Sequence, residues 1–410
     1  MTNSLKMKIK NIKWSPAVLI IASAFLTVLT GEFVLRTISY KDIDGNVYIA
    51  DRRIRPFQFP ITSLKKKLSQ YKTKVTSYTD YDPDLGWAVR PNSRFGNGLY
   101  FSNSAGVRTS SSRQETALKP LPGVLRIAIF GDSFTHGDDV PYEETWGAIL
   151  EKTMNKNGHQ VEVLNLGGQG YAIDQAFLRW RKHGKPLNPD IVVFGFQNSN
   201  IKRNMNLIRM LYSPDTGIIF TKPRFILKGS ALHLINIPTV PPQDLINVFN
   251  NWEEWELREH EFFFQESNYS PHPLYKSRLA SFVITGLTTK YSTRRKDYDF
   301  FAPHSSSIKI ALEIIDAFSR EVEQEGASFH IVHLPTEKPL EELMDGHPLK
   351  YHDLLESLRA SYDLHDAAPA LLDQARLHGI NALLASDSSH YSRIANEAVA
   401  QTVASALLAR

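Results

Sequence analysis

No cysteine occurs anywhere in the 410 residues, which removes disulfide staples, thiolate zinc sites and a cysteine nucleophile together. The chain also lacks a strong charge of either sign. Its 47 Lys and Arg stand against 43 Asp and Glu, a net of +4, so no general basic field exists and nucleic acid is not expected as a partner. Neither a His-Glu-x-x-His helix nor a cluster of carboxylates is present, and no metal or other cofactor is expected. Repeats of fixed period and low-complexity tracts are missing too, which excludes solenoids. What remains is 42% hydrophobic and 22% charged, a globular balance in a chain long enough for one large catalytic domain with additions or two ordinary ones.

The amino terminus is different in kind. Lys6, Lys8, Lys10 and Lys13 precede an apolar run from Trp14 to Thr30 that continues past Gly31 and Glu32 into Phe33, Val34 and Leu35. That is the length a helix needs to cross a bilayer. Residues 1–13 are therefore expected to be a cytoplasmic basic tail and 14–36 a transmembrane anchor. By the positive-inside rule the protein is a single-pass protein of the inner (cytoplasmic) membrane, with its body periplasmic or extracytoplasmic. A cleaved leader is the rival reading, since Ala22-Ser23-Ala24 would suit a signal peptidase. A buried helix of a soluble protein is a third. Continuation of the apolar stretch beyond the tripeptide favours the anchor.

Residues 37–123 are rich in turn formers and aromatics, among them Asp82-Pro83-Asp84-Leu85-Gly86-Trp87 and Pro91-Asn92, and read as an irregular lead-in packed against a domain. From Val124 the pattern changes. Leu125 to Phe130 is a short apolar strand that stops at Gly131-Asp132-Ser133. A helix is expected over Thr145–Asn155, a strand over Val161–Leu166, a helix over Ala172–His183 and a third strand over Ile191–Phe196. Further on, Ile308–Gly326 is an amphipathic helix and Phe329–Leu334 a fourth strand, followed by helices near Leu349–Ser361, Ala368–His378 and Ser392–Leu408. Strands alternating with helices predict an α/β domain over 124–410, its central parallel sheet covered on both faces. About a hundred residues, roughly 204–303, are surplus to this alternation. They form an insertion that holds the acidic aromatic segment Trp252–Phe264 and the basic patch Arg294-Arg295-Lys296, and read either as a substrate-binding cap or as a packing and self-association element.

Three segments carry residues suited to acyl chemistry. Ser133 sits in a glycine-lined turn straight after a buried strand, where a hydroxyl is exposed and where open parallel sheets place ligands. Asp387-Ser388-Ser389-His390 puts a carboxylate three residues before an imidazole; it can orient the ring and favour the imidazolium formed after proton abstraction, or it can be a helix-capping Asp beside a surface His. For the oxyanion, the candidate donors are the Ser133 amide, the Gly170 amide after the second strand, and an asparagine side chain after the third, either Asn198 or Asn200. His136, close behind Ser133, either lines the pocket or plays a capping role. His330 and His333 fall on opposite faces of the fourth strand and make no metal pair.

In these segments the chain resembles the SGNH hydrolases, also called GDSL esterases, whose four blocks contribute a Ser, a Gly, an Asn and a His. Ile129-Phe130-Gly131-Asp132-Ser133-Phe134-Thr135 is similar to the first block, Asn165-Leu166-Gly167-Gly168-Gln169-Gly170 to the second and Asp387-Ser388-Ser389-His390 to the last. The third block departs from the usual Gly-x-Asn-Asp, reading Gly195-Phe196-Gln197-Asn198-Ser199-Asn200. The family's asparagine falls between the two candidates, of which Asn200 is taken, with Asn198 in reserve. The resemblance covers roughly residues 30–200 and 305–410 and implies a three-layer flavodoxin-like fold. It implies catalysis by Ser133, Asp387 and His390, with Ser133, Gly170 and Asn200 around the oxyanion. The activity expected is a serine esterase removing acyl, for instance acetyl, groups from an extracytoplasmic glycan or another small ester. The alternatives are an acyltransferase to a polysaccharide with the same triad and a catalytically silent glycan-binding scaffold.

Overall fold

The computed structural model describes residues 15–73, 78–111, 115–214, 216–291, 298–386 and 388–409. The basic tail 1–13, the patch Arg294-Arg295-Lys296 and Asp387 lie outside them. The chain divides into two compact units, one of residues 1–63 with 265–298 and one of 64–264 with 299–410.

In the first unit the apolar run forms a single helix, Pro16–Ile38, of 23 residues. Ser15 caps it by accepting from the Val18 amide and Pro16 stands in its first turn, where a missing N–H costs nothing. At 1.5 Å per residue it is about 35 Å long, enough to cross a bilayer core; its mean hydropathy is 2.2 and none of that window is buried. A three-stranded antiparallel sheet follows, built of Ser39–Lys41, Val47–Ile49 and Arg52–Ile54. The helix Arg278–Tyr291 belongs to the same unit, and Glu32 accepts the amides of Arg278 and Leu279 at its start.

The second unit is built on an eight-stranded sheet. In chain order its strands are β1 (Arg94–Phe95), β2 (Tyr100–Ser102), β3 (Arg108–Thr109), β4 (Leu125–Gly131), β5 (Val161–Asn165), β6 (Ile191–Phe196), β7 (Ser328–His333) and β8 (Asp363–Asp366). Across the sheet they run β8-β7-β6-β4-β5-β3-β2-β1. The five from β8 to β5 are parallel, with β4 between β6 and β5 and its end at Gly131 facing Gly195 of β6. Side chains alternate across this layer as the strand period requires. Ile127, Ile129, Val163, Val193 and Val332 pack under the helices Trp146–Lys156, Ala368–His378 and Arg393–Leu408. Ala128, Phe130, Leu164, Phe194 and Ile331 pack under Ile173–Arg179 and Ser306–Gln324. The result is the expected three-layer α/β fold with a mostly parallel central sheet.

Two boundaries differ from the sequence reading. The lead-in is not merely packed on the domain: β1, β2 and β3 extend its sheet, β3 joining β5 antiparallel at Arg108 opposite Asn165. These strands are two or three residues long, too short for alternation to show. The surplus segment is also divided. Residues up to Phe264 belong to the second unit, whereas Gln265–Tyr298 belongs with the amino-terminal unit. In the first part Lys222 is buried against Asp174 at 2.5 Å, and the buried Glu261 accepts the Leu207, Ile208 and Phe263 amides. An unpaired charge at such depth would cost several kcal/mol, roughly 3–5, so Lys222 ties this part to the helix Ile173–Arg179 and Glu261 ties it together internally.

Candidate active site

Everything begins at the carboxyl end of β4. Gly131 has φ +155°, and a Cβ there would stand 2.3 Å from Thr135 Oγ1 and 2.8 Å from the Gly195 carbonyl, so only glycine lets the strand turn this tightly. Asp132 then caps the short helix Ser133–His136 by accepting the Phe134 amide at 3.0 Å. Its other oxygen accepts from Asn200 Nδ2 (3.0 Å) and Arg203 Nη1 (2.8 Å). The turn is thereby tied to the loop after β6, and Ser133 is left 6% exposed at the wall of a cavity of about 570 Å³.

His390 comes from a tight loop pinned at its base, where Ala385 donates to the His390 carbonyl (2.9 Å) and Ser392 to that of Leu383 (2.8 Å). Its Nε2 lies 2.9 Å from Ser133 Oγ. Its Nδ1 lies 2.6 Å from Asp139 Oδ2. Ser388 links the pair, its hydroxyl donating to Asp139 while accepting the His390 amide at 2.9 Å. Hydroxyl, imidazole and carboxylate thus form one hydrogen-bonded chain, the arrangement that lets a serine be deprotonated as it attacks. Burial works against the Asp139 charge, yet hydrogen bonds from Ser388 and His390 and the charge of the imidazole hold it below the ordinary carboxylate range.

The carboxylate beside His390 is therefore Asp139, which sequence reasoning missed. Asp139 stands six residues after Ser133 and follows another Asp, a signal easily taken for a solvated turn. Its φ is +66°, tolerated by aspartate more readily than by most residues. Residues of the lead-in hold it there. Tyr100 accepts the Asp139 amide at 2.9 Å, and Arg108, fully buried, donates to the carbonyls of His136 (2.6 Å), Gly137 and Val140 (2.6 Å).

The Gly170 amide and the Ser133 amide donate to no other group among the described residues, and both residues line the cavity. Gly170 has φ +70°, again a glycine conformation. Asn200 does not join them. It is buried with both Nδ2 hydrogens committed, to Asp132 at 3.0 Å and the Tyr171 carbonyl at 3.2 Å, while its oxygen accepts the Gln197 amide. Neither Asn200 nor Asn198 lines the cavity. Two arginines do, Arg203 and Arg209. The Asn200 amide braces Asp132 in the turn that carries Ser133.

His136 turns away from the cavity. It is wholly buried, sharing Nδ1 with Asp138 at 2.6 Å and Nε2 with the Tyr78 hydroxyl at 3.0 Å. Burial and the nearby Arg108 push its pKa from 6.5 down to about 4, with Asp138 pulling the other way. In the unfolded chain the ring takes its proton near pH 6.5 and in the folded chain only near 4, so stability present above pH 6.5 is lost as the pH falls through that window. By pH 5 the loss is on the order of 2 kcal/mol. The urea midpoint is expected to drop between pH 7 and 5, and to drop less in His136→Gln; equal slopes would assign the acid sensitivity elsewhere. His333 is likewise structural, lying 2.7 Å from Asp366 and 3.1 Å from the Tyr351 hydroxyl.

Fold and site together define an α/β protein with a Ser–His–Asp chain at the carboxyl edge of a parallel sheet. Compared by sequence, the chain matches no family model and no curated protein. Compared by structure, it is similar to the acetyl xylan esterase AlAXEase, with 14% identity, 69% of this chain and 100% of that one covered, and a TM-score of 0.36. It is similar also to the lipase/acylhydrolase from Enterococcus faecalis, with 12% identity, 68% and 94% covered and a TM-score of 0.35. A member of the lipolytic protein G-D-S-L family from Veillonella parvula DSM 2008 matches at 11% identity, with 68% and 96% covered and a TM-score of 0.32.

Proposed function

We propose that this chain is a membrane-anchored serine ester hydrolase that removes acyl groups, such as acetyl, from an extracytoplasmic carbohydrate. One geometric fact carries the reading: Ser133 Oγ, His390 and Asp139 are linked at 2.9 and 2.6 Å on the wall of a cavity that can hold a small ester. His390 Nε2 takes the Ser133 proton as Oγ attacks the acyl carbon. Asp139 keeps the other ring nitrogen protonated and favours the imidazolium that forms. The Ser133 and Gly170 amides receive the negative oxygen, a contribution worth roughly 3 kcal/mol per donor. The imidazolium returns its proton to the leaving alcohol, and water repeats the sequence on the acyl-enzyme to release the acid. Tyr71, Tyr78, Phe95 and Phe220 give the cavity aromatic surface, which suits the apolar face of a sugar ring. The helix Pro16–Ile38 would hold the body at the outer face of the cytoplasmic membrane.

Treatment of the full chain in detergent with a fluorophosphonate, followed by peptide mapping, tests the assignment. The adduct is expected on Ser133 and is expected to vanish in His390→Ala. An adduct on another residue, or labelling indifferent to His390, would reject it.

A further inference from the structure

Beside Gly170 the cavity wall carries two arginines, and among the described residues only one of them is hydrogen-bonded to a carboxylate. Arg203 donates through Nη1 to Asp132 Oδ2 at 2.8 Å and to the Tyr171 carbonyl at 3.1 Å. Arg209 is only 8% exposed, and its Nε and Nη1 are buried with no hydrogen-bond partner among the described residues. Its Nη2 lies 3.3 Å from the point where a Cβ on Gly170 would sit, which puts the guanidinium against the residue whose amide faces the cavity. The Tyr212 ring lies 5.1 Å from its Cζ and supplies no counter-ion. Asp138, the carboxylate that lines the same cavity, is already held by His136 at 2.6 Å and Gln169 at 3.0 Å.

A buried cation without a partner is expensive, and a protein keeps one where something else completes it. The strain registers on Arg209 itself: burial and the like charge of Arg203 push its pKa down to about 10. The site therefore has a guanidinium beside Gly170 that feels the charge of Asp132 at a distance and, among the described residues, has no carboxylate hydrogen-bonded to it.

We propose that Arg209 binds an anionic group of the substrate, so that the ester hydrolysed here belongs to an acidic carbohydrate or polyol carrying a carboxylate or phosphate close to the acylated hydroxyl. A charge-assisted hydrogen bond from Nη2, the guanidinium nitrogen not among those buried, gives the cation an anion, whereas a neutral sugar ester leaves it without one. The inference rests on Ser133 as nucleophile for the position of the ester, and on Arg209 alone for the anion.

The test uses the full chain in detergent and two matched pairs of acetates: a mono-acetylated methyl glucuronoside against the corresponding glucoside, and acetylated glycerol phosphate against acetylated glycerol. The charged member of one pair is expected to be preferred by about 10- to 100-fold in kcat/KM. The pair that shows the preference identifies carboxylate or phosphate as the anion. Arg209→Gln is expected to collapse that ratio, and Arg209→Lys to retain part of it. If the urea midpoint shows Arg209→Gln to be unfolded, Arg209→Lys carries the comparison. Calorimetric titration of the Ser133→Ala chain with methyl glucuronoside and with glycerol phosphate separates the two readings. Binding that Arg209→Gln abolishes, in a native chain that hydrolyses nothing, supports the anion site and removes the hydrolase. Equal use of charged and neutral esters, a ratio that Arg209→Gln leaves in place, or the absence of any Arg209-dependent binding overturns the anion site.

Discussion

His390→Ala is expected to lower kcat on p-nitrophenyl acetate by about five orders of magnitude, with KM nearly unchanged. The ring makes its contact with Ser133 Oγ through Nε2, and no other base among the described residues touches that oxygen. Without it the hydroxyl must lose its proton to water, against the full barrier of an unactivated alcohol. Ser133→Ala is expected to cost a similar amount, and the double variant no more than either single one, because the two side chains act as a unit. The residue of catalysis left in all three would come from the Ser133 and Gly170 amides, which neither substitution removes. Millimolar imidazole is expected to restore part of the rate in His390→Ala and none in Ser133→Ala. Retention of more than a tenth of kcat in His390→Ala would mean that another group deprotonates the nucleophile.

Much of this site was legible because its parts follow strands. Ser133, Gly170 and the asparagines after Ile191–Phe196 each stand where an apolar run breaks into a glycine or polar turn, and parallel strands carry all such breaks to one edge of a sheet. The register of β4 against β5 and β6 makes that juxtaposition a matter of pattern. His390 was legible through its loop ahead of the last helix. Helix and strand positions from 145 onward also agreed to within a few residues, since their periods extend over two or more turns. Among the elements missed there are the helix Glu337–Met344 and β8: Asp363–Asp366 has one apolar side chain, Leu364, and as an edge strand it needs no more.

What stayed hidden depends on contacts across long stretches of chain. Arg108, Tyr100 and Tyr78 sit in a segment with no periodicity, yet Arg108 binds carbonyls about 30 residues on and Tyr78 meets His136 across 58. A sequence shows the arginine but not the carbonyls that will surround it. Asn200 shows the opposite case. Its position in the chain suited an oxyanion donor, but the packing of Asp132 against the loop after β6 claims both of its amide hydrogens.

Asp139→Asn is expected to reduce kcat by about 10⁴ while leaving the fold intact, and Asp387→Asn to leave kcat within about threefold of the native chain. The difference follows from what the ring nitrogen meets. Asp139 Oδ2 lies 2.6 Å from His390 Nδ1, so an ionised carboxylate obliges Nδ1 to carry the proton and leaves the Nε2 lone pair for Ser133. An asparagine amide at that position can donate to Nδ1 instead, and the ring then holds its proton at Nε2, where a base is needed. Hydrogen bonds from Ser388 and His390 hold Asp139 below its ordinary 3.8 and so keep it ionised at neutral pH. Asp387 stands three residues from the imidazole in sequence, which is why pattern alone favours it. Comparison of the two asparagine variants at equal urea stability decides between the carboxylates: a collapse in Asp387→Asn with Asp139→Asn near native would return the role to Asp387, and comparable losses in both would mean that the ring is oriented by the pair.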